Sequence, residues 1–148
     1  MKDISLKIIP KKDILTILPL LGELNSTTPL YLLKERLLQM ITQNYKCVGM
    51  FHKDTLIGIC GLWFMTRHYV GKVVEADHVI ISAKYRGRNL GKKMFGWIYN
   101  FALEEGYEAT ELNVYSGNQK AHKFYLNEGY DIYGFHAVKV LREDKRLF

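Results

Sequence analysis

The chain has 148 residues, 48% of them hydrophobic and 24% charged, with 12 glycines and 3 prolines. This is the balance of one globular domain, and it excludes a disordered segment, a fibre and a disulfide-stapled scaffold. Lys and Arg number 21 against 15 Asp and Glu, a net charge of +6 with His neutral, which favours an anionic partner without choosing among nucleic acid, membrane surface and phosphorylated small molecules.

Ser5 to Ile9 alternates and predicts a first strand. Asp13 stands where it would cap a helix, with Ile14, Ile17, Leu18 and Leu21 at helical spacing, and Asn25-Ser26-Thr27-Thr28-Pro29 breaks it. Leu30 to Gln43 predicts a second helix on a stripe of Leu33, Leu37, Met40 and Ile41. Tyr45–Phe51 and Leu56–Thr66 read as strands joined by a hairpin turn at Lys53-Asp54. A further strand runs from Tyr69 to about Ser82. Cys47 and Cys60 lie in apolar stretches and read as reduced core thiols. The longest apolar run, Ile57 to Met65, is far short of the ~20 residues that cross a bilayer. The first residues lack the apolar core of a signal segment, so the expectation is a cytoplasmic protein with no membrane association.

A helix opens near Gly87 or Asn89 and runs to Glu105, with Leu90, Met94, Trp97, Ile98 and Phe101 on one face and Gly106 as its stop. Glu111–Tyr115 predicts a strand, Asn118–Glu128 a short helix stopped by Gly129, and Tyr130–Tyr133 and Ala137–Leu141 two last strands. The order of about seven strands and four helices fits an α/β or α+β domain, a mixed twisted sheet covered by helices, with no repeat and no linker dividing the chain.

The most informative stretch joins the strand ending in Val79-Ile80-Ile81 to the following helix. Between them lie Gly87, Asn89 and Gly91, residue types suited to positive φ, so successive backbone N–H groups can converge on one anion at the helix start. Lys84, Arg86, Arg88, Lys92 and Lys93 crowd the same end. Cations there oppose the helix dipole at about 0.3–1 kcal/mol each, a cost that a phosphate or pyrophosphate would offset. A solvated basic surface is the plain alternative. The turn is neither a Walker A loop nor the dinucleotide fingerprint G-x-G-x-x-G.

Arg86-Gly87-Arg88-Asn89-Leu90-Gly91 resembles the Q/R-x-x-G-x-G/A signature of the GNAT (GCN5-related) N-acetyltransferases, matching at Arg86, Leu90 and Gly91. It departs at Asn89, where that family usually has glycine; Asn tolerates a left-handed backbone. Asn118-Gln119-Lys120-Ala121-His122-Lys123-Phe124-Tyr125 through Gly129-Tyr130 is similar to the family's N-x-x-A-x-x-F-Y-x-x-x-G-F/Y segment. The ending Gly134–Leu141 is similar to the last strand of some small-amine acetyltransferases, aminoalkylphosphonate acetyltransferases among them. The resemblance covers about Leu56 to Leu141 and implies a mostly antiparallel sheet, acetyl-CoA as the cosubstrate, and a primary amine as acceptor.

It also implies roles. Arg86, Gly87, Arg88, Asn89, Leu90, Gly91 and Lys92 would cradle the coenzyme A pyrophosphate. Val79, Ile80 and Ile81 would pair with pantetheine through their backbone, and Asn118 would hydrogen-bond the pantetheine or nucleotide arm unless it simply caps its helix. Tyr125 would protonate the departing thiolate. A base is needed because a free alkylamine titrates near pKa ~10. Some relatives carry a glutamate eleven residues before the arginine, which is Glu75 here; Asp77 is the second choice, alternating onto the same face as Glu75, Val79 and Ile81. His52, His68, His78, His122 and His136 show no zinc spacing, so no metal is expected. Neither cysteine lies beside an obvious base, which favours direct attack by the amine in a ternary complex. The acceptor is expected to be a small primary amine, with protein amines second. The other class is a basic module that binds nucleic acid or coenzyme A without catalysis. Dimers are common in the family, so a homodimer is an open expectation.

Overall fold

Five stretches of alternating or apolar sequence become strands of one sheet in the computed structural model, which describes residues 1–148. The strands are β1 (Ile4–Ile8), β2 (Tyr45–His52), β3 (Thr55–Arg67), β4 (Gly71–Ile81) and β5 (Ala109–Leu112). The helices are α1 (Leu18–Leu24), α2 (Leu30–Met40), α3 (Leu90–Glu104) and α4 (Gln119–Asn127). The chain divides into two units, Met1–Leu112 and Asn113–Phe148.

In the first unit the sheet order is β1-β2-β3-β4-β5. Neighbours are antiparallel from β1 to β4, and β5 lies parallel to β4. A parallel neighbour requires a crossover, and α3 supplies it. One sheet face carries Tyr45, Cys47, Ile59 and Ile80 beneath Ile17, Leu20, Leu21, Leu33 and Leu37. The other face meets α3, where the Phe64 and Phe101 rings lie 6.3 Å apart. Phe95, Met94 and Ile98 of that helix are fully buried. The hairpin between β2 and β3 turns at Lys53-Asp54, with Lys53 at φ 55°.

Several expectations need correction. Asp13 caps nothing: Pro10 is the N-cap, and Lys11–Ile17 is a 3-10 helix that precedes α1. The cause is Pro19, which has no N–H to give the Leu15 carbonyl and whose ring would crowd it, so an α-helix begins only at Leu18. The sheet has five strands rather than seven. Residues 130–141, although rich in strand-forming types, adopt no regular secondary structure. β-propensity describes fit to a pleated surface and does not supply a ladder partner. The strand placed at Glu111–Tyr115 is Ala109–Leu112.

In the second unit α4 begins at Asn118, whose side-chain oxygen accepts the Ala121 N–H at 3.1 Å, and ends before Gly129 at φ 96°. No helix of the chain is long and apolar enough to cross a membrane.

Candidate active site

The register between β3 and β4 changes midway. Trp63 faces Glu75 and Gly61 faces Asp77, but Ile59 faces Ile80 and Gly58 faces Ile81. One extra residue is therefore inserted in β4 around His78, whose φ is 35°. Such a bulge reverses which side each later residue points to. Glu75 and Asp77 consequently share a face with Ile80, and Ile81 points to the opposite one. The unbroken alternation expected for Glu75, Asp77, Val79 and Ile81 fails at this bulge. Pairing with β5 covers only Val73 to Ala76, so β4 continues through Asp77–Ile81 without β5 beside it.

On the shared face, the parallel register sets Glu75 beside Glu111. Glu111 binds Arg67 Nε at 2.8 Å and accepts the Tyr69 hydroxyl at 2.7 Å. This partner strengthens the hold of Arg67 on its proton. Asp77 accepts from the Trp63 indole N–H at 3.1 Å and from the His78 backbone N–H at 2.8 Å. Both of its oxygens are engaged. The sequence gives no hint of Glu111 beside Glu75, because 36 residues and a crossover separate them.

The turn after β4 takes the expected form at Gly87 and Asn89, but Gly91, expected in the turn, lies inside α3 without positive φ. Ala83–Tyr85 is a 3-10 turn, Arg86 is extended, Gly87 has φ 76°, and Asn89 is left-handed at φ 57°, ψ 22°. Asn89 is the N-cap of α3, yet its side chain makes no capping hydrogen bond. A Cβ on Gly87 would meet nothing within 4 Å, so the turn is open on that side. Arg86 Nε donates to the Ile81 carbonyl at 2.9 Å and ties the turn back to β4. The Arg88 guanidinium lies 5.6 Å from the Tyr85 ring centre. Lys84, Arg86, Arg88, Lys92 and Lys93 are all exposed around this helix start, while Leu90 is buried and anchors it; Gly91 is half-buried.

In the second unit Tyr125 is half-buried on α4, with the Phe124 and Tyr130 rings at 5.2 and 5.9 Å. Asn118 acts as the helix cap, the plainer of its two readings. Both cysteines are fully buried in the first unit, and burial pushes their thiols up, that of Cys47 to about 12. No group of three or more His, Cys, Asp or Glu is arranged to hold a metal ion.

The sequence pattern of the acetyltransferase (GNAT) family matches residues 16–130. A 74-residue stretch is 31% identical to the aminoalkylphosphonate N-acetyltransferase of Salmonella typhimurium, covering 50% of this chain and 48% of that protein. The chain thus spans about half the length of that relative. A 95-residue stretch is 30% identical to the uncharacterized protein ML0378 of Mycobacterium leprae, covering 64% of this chain and 25% of that one. Among solved structures, an aminoglycoside acetyltransferase from an uncultured soil metagenomic sample superposes with a TM-score of 0.78 at 15% identity, over 95% of this chain and 97% of the other. AAC(6')-Iy, solved with the bisubstrate analogue CoA-S-monomethyl-acetylneamine, gives 0.76 at 12% identity over 95% and 97%. At those identities the structures speak for the fold, while the sequence pattern covers more than half of the chain. With the left-handed turn ahead of α3, these matches lead to one conclusion: the chain belongs to the GNAT family of acetyltransferases.

Proposed function

We propose that this protein transfers an acetyl group from acetyl-CoA to a primary amine of a small molecule. The observation that carries the reading is the start of α3. Two turn positions, Gly87 and Asn89, have positive φ, five cations surround them, and the N-cap side chain leaves the first N–H groups of the helix unclaimed by a cap. Anion binding uses that combination of dipole, N–H groups and charge. The pyrophosphate of acetyl-CoA is held by the turn from Arg86 to Lys92, through the backbone of Gly87, Arg88, Asn89, Leu90 and Gly91 and the charges of Arg86, Arg88 and Lys92. Pantetheine amides pair with the β4 edge at Val79, Ile80 and Ile81, which β5 does not cover. The amide nitrogen of Asn118 adds a hydrogen bond to the nucleotide arm.

In the reaction the amine nitrogen attacks the thioester carbon, the carbon–sulfur bond breaks, and the amine proton passes to Glu75. Tyr125 donates its proton to the departing sulfur. Two deeply buried thiols with raised pKa values support direct transfer without an acyl-cysteine. The match to an aminoalkylphosphonate N-acetyltransferase supports a small amine as acceptor, and the acidic pair Glu75 and Glu111 suits a cation.

The test is release of free thiol from acetyl-CoA in the presence of a panel of small amines and, separately, lysine-bearing and free-N-terminal peptides. Small amines should turn over. Glu75→Gln and Tyr125→Phe should each lower kcat by about 10²–10⁴. Turnover confined to peptides would move the acceptor to proteins, and tight acetyl-CoA binding with no acceptor at all would leave a coenzyme A-binding module.

A further inference from the structure

The bulge in β4 turns on one side chain. His78 sits at φ 35°, a conformation that His enters more readily than most residues but that still carries strain. Its imidazole lies over Gly61 on β3: a Cβ on that glycine would overlap the ring, 2.6 Å from Cδ2 and 2.7 Å from Cε1. Its Nε2 is 2.6 Å from the Tyr45 hydroxyl on β2. Its Nδ1 is buried with no hydrogen-bond partner. Burial lowers the pKa of the ring, so it stays neutral at neutral pH. Tyr45 is itself buried, and its pKa is raised by that burial. The side chain thus reaches across two strands, fills a slot left by a missing Cβ, and keeps an unsatisfied nitrogen. A smaller residue would avoid that penalty. Beyond filling that slot, what it does that a smaller residue would not is bind the bulge to Tyr45.

We infer that His78 is a positioning residue: seated over Gly61 and hydrogen-bonded to Tyr45, it locks the β4 bulge and so fixes the backbone of Val79–Ile81. Without the lock, β4 would be free to relax toward the regular register, in which Val79 rather than Ile80 stands opposite Ile59, and Ile80 and Ile81 each change face. Ile80 is buried in the same cluster as Tyr45 and Ile59, so the lock and the apolar core hold the segment from two directions. The functional half of this role rests on the proposed use of acetyl-CoA, whose pantetheine would read that backbone edge. The structural half stands on geometry alone.

Two variants test it, both chosen to keep the fold. Tyr45→Phe removes only the hydroxyl, and His78→Asn keeps a residue tolerant of positive φ but too short to reach Tyr45. Amide hydrogen exchange of Val79, Ile80 and Ile81 in the ligand-free protein should accelerate about three- to tenfold in each variant, the loss of one hydrogen bond. The KM for acetyl-CoA should rise by a similar factor with kcat nearly unchanged, and the double variant should be no worse than the single ones. A lowered melting temperature with unchanged exchange and unchanged KM would overturn the role and reduce His78 to core packing. If the wild-type protein binds no acetyl-CoA, the proposed function falls, while accelerated exchange still establishes the lock. Intact binding with unaltered exchange removes the lock and leaves the proposed function standing.

Discussion

Two helices of this protein begin at an asparagine, and the two residues are used in opposite ways. Asn118 opens α4 with φ −94° and folds its side-chain oxygen onto the Ala121 N–H, the ordinary service of an N-cap. Asn89 opens α3 with φ 57°, and its side chain caps nothing. The difference lies in the backbone. The α4 start answers one of its own donors, whereas the α3 start leaves its donors unclaimed by a cap and is surrounded by cations. One residue type thus marks a structural cap in one place and the proposed anion seat in the other, and the neighbouring charges distinguish the two.

Between the two helix starts, the largest expected effect on binding should come from Arg86→Ala, which removes a charge beside the proposed seat and the tie to the Ile81 carbonyl. Acetyl-CoA affinity should fall about ten- to a hundredfold in calorimetric titration, more at low salt than at high, with the thermal midpoint nearly unchanged. An unaltered Kd would make the two helix starts equivalent. Next comes the left-handed position itself. Asn89→Gly should bind as the wild type does, and Asn89→Ala should bind about five- to thirtyfold more weakly, because alanine is strained there by about 1–2 kcal/mol. Equal losses in both would place the effect in the side chain rather than the backbone.

The α4 start should respond in stability. Asn118→Ala should cost about 1 kcal/mol in chemical denaturation. Asn118→Asp keeps the capping oxygen and should keep that stability, while losing about fivefold in acetyl-CoA affinity if the amide nitrogen serves the nucleotide arm. The smallest effect separates both helix starts from the bulge before them. His78 has a pKa lowered by burial, against an unfolded value near ~6.5. Its contribution is complete above that value and is lost as pH falls through it toward the folded value, since the unfolded chain takes up the proton first. Urea midpoints should therefore decline from pH 7 to pH 5, and less steeply in His78→Asn; identical slopes would remove His78 as the cause of the decline.

What was legible in the sequence was local. The glycines at 87, 106 and 129 stand where the chain needs positive φ, and the turn, the stop of α3 and the stop of α4 follow from them. α2 and α3 follow from apolar spacing and α4 from its asparagine start and glycine stop, while the same spacing ahead of α1 belongs to a 3-10 helix. What was not legible depends on partners far along the chain. The bulge needs Gly61 and Tyr45 to make room for and hold His78, and a histidine in a strand announces neither. The face of Ile81 followed from that error. Glu111 joins Glu75 only through the parallel register that α3 imposes. The two last strands failed for the converse reason, since strand-like composition was present and a ladder was not.

Cys47 and Cys60 lie on the two central antiparallel strands, each fully buried, one position out of register with each other. The offset points the two side chains to opposite faces of the sheet, so each thiol is shielded by the layer packed on its own face. Alkylation by a small disulfide or maleimide therefore acts as a clock for the lifting of those layers, and a bound ligand that slows it has stabilised the packing of the first unit.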